Sequence, residues 1–279
     1  MRILASIVVS LAAVMLPSEV WANCGLGSCP VVPAEASGKN GMLRMPIRSE
    51  VTAFDFADQS GTYTRTQLGL EVWGRDSIVI SGALPVIALS RDDEATKVGL
   101  ANPLANVQIV TRPVSWLTVA GGLMLEMPLG DDDLVDDHFV TLKHFQARVQ
   151  AGLLEVRGYG GYLRAFGASH GEAHDHHHGH DHGHGHGGGP ASPIDPHGDQ
   201  ELRGRASLGL ALGRFAPGMM WDAAVELKDQ GLSEQYHSVG GVLESSVGQD
   251  AYAHLQVLVP VSDAERYAWQ AGLGLTLRR

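Results

Sequence analysis

The residues best suited to chemistry in this chain stand in one run, Ser169-His-Gly-Glu-Ala-His-Asp-His-His-His-Gly-His-Asp-His-Gly-His-Gly-His186, which continues into Gly187-Gly-Gly-Pro190. Nine of the chain's 14 histidines lie there: His170, His174, His176, His177, His178, His180, His182, His184 and His186. Neutral imidazole nitrogens ligate zinc, nickel, copper and cobalt. Asp175 and Asp181 add carboxylate oxygens at the same short spacing, and Glu172 adds another. A flexible backbone can fold two to four such groups round one divalent ion. The interleaved glycines let many geometries compete, so the expected sites overlap and hold metal loosely. The run is too polar to bury and too glycine-rich for a helix or strand, which reads as a disordered, solvated loop. The same residues also fit a neutral repeat expansion that binds metal only incidentally.

The other candidates are sparser. Asp92-Asp93-Glu94, Asp131-Asp132-Asp133 and Asp136-Asp137-His138 form acidic stretches that would concentrate cations nearby or serve only as solvated loops. None has the spacing of an EF-hand. Cys24 and Cys29 are the only cysteines. An oxidising compartment favours a disulfide between them, and a pair of thiolate ligands is the alternative. His138, His144, His237 and His254 are scattered, and neither Gly-x-Ser-x-Gly nor Ser-x-x-Lys occurs. Without a nucleophile motif the chain reads as a non-enzyme.

What must position the histidine run is read from the rest of the chain. Its 279 residues are 44% hydrophobic and carry a net charge of -11. That charge argues against nucleic acid as a partner, because a polyanion needs a basic footprint. Residues 1–22 have the form of a secretory signal: Arg2, an apolar stretch from Ile3 to Leu16, and Val20-Trp21-Ala22 before a cleavage near Ala22-Asn23. Residues 23–41, rich in Gly, Pro, Ala and Ser, read as a flexible segment holding the cysteine pair. Beyond the signal no uninterrupted apolar run of about 18 residues occurs, so no transmembrane helix is expected.

From about residue 42 the hydrophobic period is two. Trp269, Ala271, Leu273, Leu275 and Leu277 share one face against Gln270, Gly272, Gly274 and Thr276. Phe145, Ala147, Val149 and Ala151 oppose His144, Gln146, Arg148 and Gln150, and Leu68, Leu70 and Val72 oppose Arg65, Gln67 and Glu71. Strands of this kind run to about ten residues, longer than in most soluble sheets. About twelve can be placed: 45–57, 62–74, 77–90, 104–113, 115–128, 142–153, 155–166, 201–212, 219–229, 236–247, 250–261 and 266–278. In the first, third and seventh, both faces look apolar or the phase slips. Short connections alternate with long ones at 91–103, 130–141, 167–200 and 229–235. The fold class that fits is all-β, a transmembrane antiparallel β-barrel meander over 42–279 with 167–200 as an external insertion. A soluble sandwich that buries its aliphatic faces is the alternative.

The tail Tyr267-Ala-Trp-Gln-Ala-Gly-Leu-Gly-Leu-Thr-Leu-Arg278 resembles the closing strand of a Gram-negative outer-membrane β-barrel. Val98-Gly-Leu-Ala-Asn-Pro103 and Gly122-Leu-Met-Leu-Glu-Met-Pro-Leu-Gly130 resemble segments of uncharacterised barrel families, among them transporter-type barrels found near phenol-degradation operons. The resemblance implies outer-membrane lipid and the barrel-assembly machinery as partners, and it implies no substrate. Such barrels usually finish on an aromatic residue, whereas this chain finishes on Leu277-Arg278-Arg279. The resulting expectation is an outer-membrane barrel whose external histidine loop binds divalent transition metal ions and whose lumen passes them or small solutes. Two other readings stay open: a structural or general pore with an incidental loop, and a soluble periplasmic β-protein that buffers metal.

Overall fold

The computed structural model describes residues 43–56, 59–74, 77–92, 94–131, 134–135, 138–166, 197–228, 231–247, 251–262 and 266–278. The signal segment 1–22, the 23–41 segment with Cys24 and Cys29, and the whole histidine run lie outside these residues.

Thirteen strands follow one another: β1 (Leu43–Phe56), β2 (Gln59–Trp73), β3 (Ile78–Arg91), β4 (Lys97–Leu100), β5 (Leu104–Val114), β6 (Leu117–Glu126), β7 (Phe139–Ala151), β8 (Leu154–Phe166), β9 (Gln200–Leu210), β10 (Phe215–Lys228), β11 (Gly231–Ser246), β12 (Ala251–Pro260) and β13 (Trp269–Arg278). Each pairs antiparallel with its neighbour in sequence order, except that β4 and β5 both pair with β3. They are two pieces of one staves-width of wall, interrupted at Ala101-Asn102-Pro103. The last strand returns to the first, from Arg44 opposite Arg278 to Ala53 opposite Trp269. The result is a closed barrel twelve strands round, as the alternation predicts.

A polypeptide of this pattern has reason to close. Period-two alternation makes one face of the sheet apolar and leaves the other polar. Open edges would leave unpaired N–H and C=O groups, which closure removes. Leu68, Ile80, Ile109, Leu208, Leu255 and Leu273 all face outward and are between 45% and 60% exposed. Arg44, Gln108, Glu201, Gln256 and Gln270 face inward and are almost completely buried. An apolar exterior round a polar interior is the inverse of a soluble sandwich, in which the aliphatic faces would be hidden. A 13-residue strand such as β7, rising about 3.3 Å per residue and tilted about 40°, reaches roughly 33 Å, enough to cross a membrane's hydrocarbon.

The connections sort by end. At one end β2–β3, β5–β6, β7–β8, β9–β10 and β11–β12 turn tightly. Gly152 and Gly213 take positive φ there (62° and 65°), a conformation that suits glycine. At the other end lie the connections 92–103, 127–138, 167–199 and 261–268. The sequence reading of 229–235 as a long segment is corrected, because β10 and β11 extend to Lys228 and Gly231 and leave two residues between them. Polar residues at Glu234 and Gln235 hid strand that projects beyond the apolar band.

The third strand's ambiguous alternation has a physical cause. Ile87 and Leu89 point inward and are apolar because they pack with Phe54, Tyr63, Ala101 and Leu134. The last two belong to connections that fold in against the wall. The same segment completes the interrupted strand: Met127 N–H donates to Pro103 O at 3.0 Å, Asp131 N–H to Leu100 O at 2.9 Å, and Leu100 N–H to Asp131 Oδ2 at 2.7 Å. Asp131, read from sequence as part of a cation-gathering loop, thus spends one carboxylate oxygen on the backbone.

The inside-out arrangement makes a prediction. Leu273→Arg on the outer face should destabilise the folded barrel by about 2–4 kcal/mol in lipid. The measurement is reversible denaturant unfolding in vesicles, and an unchanged midpoint would contradict the outward assignment.

Candidate functional site: the barrel lumen

Inward positions near the tight-turn end form a chain of ion pairs. Arg148 Nη2 on β7 lies 2.5 Å from Glu155 Oε2 on β8. Glu155 Oε1 also accepts from Arg157 Nε, two residues along the same strand. Arg157 then reaches Glu244 on β11 with two parallel bonds, Nη1 to Oε1 at 2.6 Å and Nη2 to Oε2 at 2.7 Å. Strands β9 and β10 stand between β8 and β11 in the wall. The bidentate pair is therefore a chord across the lumen. Its fork-to-carboxylate geometry is one that arginine makes and lysine does not. On the neighbouring arc Arg44 Nη1 lies 3.9 Å from Glu71, and its guanidinium stacks 4.7 Å over the Trp73 ring.

Glycines make room for the two buried imidazoles. A Cβ at Gly274 would lie 1.7 Å from His254 Cε1, and one at Gly122 would lie 2.8 Å from His144 Nε2. The His144 Nε2–H, in the tautomer that the amide oxygen requires, donates to Asn106 Oδ1 at 3.0 Å. Both histidines thus belong to the lumen wall.

Toward the other end the charges gather on Glu201, which is fully buried. It accepts from Arg203 Nε at 3.0 Å and from the Gly198 N–H at 2.9 Å. Arg266, from the connection between β12 and β13, adds both terminal nitrogens, one of them at 3.3 Å, and stacks 3.9 Å over Tyr236. Arg205 pairs with Asp222 on the adjoining strand. Tyr267 OH donates to Ser238 Oγ at 2.7 Å, and burial pushes the Tyr267 phenol up to about 12. The adjoining wall differs. Leu104, Met124, Val140, Leu142 and Leu163 form an apolar cluster on β5 to β8. At that level, toward the long connections, the lumen therefore has an aliphatic side and a charged side.

Period-two alternation alone puts Arg65, Glu71, Glu126, Arg148, Arg203, Arg205, Asp222, Glu226, Lys228, Gln256 and Gln270 on the inner face, and the structure bears most of them out. Arg65, Glu71, Arg148, Arg203, Arg205, Asp222, Gln256 and Gln270 are all buried inward. Lys228 is not: its side chain is 61% exposed at the rim, beyond the apolar band, beside Glu226 at 3.7 Å. Period-two reading places it on the inner face but cannot say where that face leaves the membrane. Reading alone also missed Arg157 and Glu244, because strand phase was unreadable through Gly158, Gly160 and Gly161. A glycine-rich strand erases the side-chain alternation that carries the signal.

At the neck of the histidine connection, His138 precedes β7 and His197 precedes β9. Their Nε2 atoms are 3.3 Å apart and the rings meet edge to face with centroids 5.0 Å apart. His197 Nδ1 faces Gly198 O at 3.1 Å. Among the described residues no group of three or more metal-type side chains converges.

This geometry defines the class of fold: a transmembrane antiparallel β-barrel of the outer-membrane type. Solved structures agree. An outer-membrane channel from Pseudomonas putida F1 superposes with a TM-score of 0.65 at 8% identity, over 87% of this chain and 97% of that one. The β domain of the Bordetella autotransporter BrkA gives 0.53 at 11% identity, over 85% and 99%. The KdgM porin in complex with disordered oligogalacturonate gives 0.50 at 10% identity, over 84% and 98%. No protein-family profile and no curated protein matches the sequence.

Removing Glu244 strips Arg157 of its bidentate partner and leaves it only Glu155. Glu244→Ala should cost about 3–5 kcal/mol of folding stability, and Arg157→Met with Glu244→Met should recover most of it. Denaturant titration of the three proteins in vesicles tests this. A single variant as stable as the parent would show that the chord is structurally idle.

Proposed function

We propose that this protein is a narrow outer-membrane channel for small polar solutes or metal ions, with its long connections on the outside. The observation that carries this reading is the Arg157–Glu244 chord. Eight strands leave a barrel filled by side chains and sixteen leave an open aqueous pore. Twelve strands lie between, and here a paired bridge from β8 to β11 cuts off one arc of the lumen and leaves room for a small solute to pass beside it. The likeness to a channel and a porin supports the reading at the level of fold. In this reading outer-membrane lipid surrounds the barrel, the barrel-assembly machinery inserts it, and residues 1–22 are removed on export. His144 and His254 serve the wall and not catalysis.

The second element of the proposal is metal capture at the mouth by His170, His174, Asp175, His176, His177, His178, His180, Asp181, His182, His184 and His186. One observation favours it beyond composition. Two imidazole ligands of a tetrahedral zinc ion at about 2.0–2.1 Å stand about 3.3–3.4 Å apart. The His138 and His197 Nε2 atoms already have that spacing, where the histidine-rich connection leaves and rejoins the wall. The Gly198 carbonyl opposite His197 Nδ1 would hold the ring in the ligating tautomer.

Planar-bilayer recording tests the channel. Arg157→Met with Glu244→Met should raise single-channel conductance severalfold, and a conductance equal to the parent's would remove the chord as the constriction. Metal capture is tested by titrating zinc, nickel and copper into the full chain and into a form lacking residues 170–186. The deletion should lower the number of ions bound while the barrel stays folded. Equal stoichiometry in the two would eliminate the run as ligand.

A further inference from the structure

The outer wall carries one feature that neither pore nor metal capture explains. In the body of the strands, among the described side chains, the outward face bears two formal charges, Lys143 and Arg164. Arg112 stands apart, beside the β5–β6 turn, where its guanidinium donates to Ser115 O at 2.6 Å. Inward arginines of the strands such as Arg148, Arg157, Arg203 and Arg205 have acidic partners. Lys143 and Arg164 are both exposed and both cationic, and they lie on adjoining strands.

The register brings them together. Thr141 stands opposite Arg164, and Lys143 opposite Tyr162. Lys143 and Arg164 are therefore diagonal neighbours on one face, about 7–8 Å apart and within reach of a common ligand. On the far side Arg164 is opposite Gln200, and Tyr162 OH donates to Gln200 Oε1 at 2.6 Å. The Arg164 guanidinium is steadied 4.9 Å over the Phe166 ring. Phe166 pairs across the ladder with Phe139, and the two are 43% and 48% exposed. Aromatic girdles of this kind flank the apolar band of an outer-membrane barrel. The cations therefore sit one and two rungs inside an aromatic rim, with Phe145 below them at 56% exposure.

A bare cation facing lipid is unfavourable, and the cost vanishes when an anion from the headgroup layer meets it. Two cations at this spacing, one a guanidinium, suit a phosphate. The neutral donors and acceptors beside them, Thr141, Tyr162 and Gln200, suit the hydroxyls of a sugar attached to that phosphate. We propose that Lys143, Arg164, Tyr162 and Gln200 form a docking site on the outer wall for the phosphorylated disaccharide of an outer-leaflet glycolipid. The presence of that leaflet at this end rests on the orientation proposed above. The binding chemistry does not, and it can be measured in detergent.

The experiment uses the folded full chain in a neutral detergent and follows lipid adducts by native mass spectrometry. The probes are diphosphoryl lipid A, the same lipid stripped of both phosphates, and phosphatidylglycerol. The parent should retain diphosphoryl lipid A at least tenfold more strongly than the dephosphorylated form or phosphatidylglycerol. Lys143→Gln with Arg164→Gln should abolish that preference, whereas Lys97→Gln, which removes an exposed cation elsewhere, should keep it. Heat-modifiable electrophoretic mobility reports folding of each variant. The dephosphorylated arm tests the site with no change to the protein. Equal retention of lipid A with and without phosphates overturns the proposal, as does a preference that survives the double substitution. Equal retention of phosphatidylglycerol overturns the assignment to a glycolipid. Failure of the orientation alone would leave the detergent result intact and appear only as protease cleavage of the long connections from the periplasmic side.

Discussion

Water is absent from the hydrocarbon core of a bilayer, so each backbone N–H and C=O there needs a partner within the chain. The pairing of β1 with β13, ten residues on each side, meets that need by leaving no edge. Its strictness is clearest where the ladder fails. Pro103 cannot donate, and the wall opens at Ala101-Asn102-Pro103. Groups flanking the gap find partners elsewhere. Ala101 N–H finds Pro85 O at 2.9 Å, Asn102 Oδ1 accepts from Gly130 N–H at 3.0 Å, and Met127 and Asp131 N–H donate to Pro103 O and Leu100 O. A connection that would otherwise be free has been recruited as wall, and Leu134 follows it inward to close an apolar cluster.

Closure also decides what the two faces can be. The outer face must be apolar because it meets lipid, so the charged residues of the strands are driven inward. Inside, the surroundings are too confined to leave charges unpaired, and they form chords and ladders. Arginine is used for this because its fork satisfies two oxygens at once, as at Glu244 and Glu201. The described lysines, Lys97, Lys143 and Lys228, all remain exposed. The inward glycines follow from the same confinement. At Gly122 and Gly274 any side chain would displace a buried imidazole from the lumen wall.

How much of this could be read from residues alone follows from the same physics. Alternation is strongest where one face meets lipid and the other meets charge, so β9 and β12 were legible to within two residues at each end and β7 and β13 to within three. It is weak where an inward side chain is apolar, as at Val79, Ile87 and Leu89 in β3. There the inner face packs against other protein, and a local pattern cannot announce a partner far away in sequence. It is also weak where glycines replace side chains, as in β8. The charged lumen was therefore visible as a set of residues but not as a network. That Arg157 meets Glu244 depends on which strands face each other across the barrel, and this is set by closure. The His138–His197 pair was hidden for the same reason: its members are 59 positions apart and share no local signature.

The histidine connection stands in a different relation to the fold. Its 33 residues, from 167 to 199, join two strands paired from Leu154 opposite Leu210 to Arg164 opposite Gln200. Ala165 N–H donates to Asp199 O at 2.8 Å and carries the ladder one step further. Closing a loop costs about (3/2)RT ln n, so growth from about four residues to 33 adds only about 2 kcal/mol. The ladder beneath repays that many times over. The content of the loop is therefore nearly independent of barrel stability, and any composition that stays solvated is tolerated. That freedom explains why a histidine-rich run can be mounted on this scaffold without altering a single strand. It also explains why the fold by itself does not require the run.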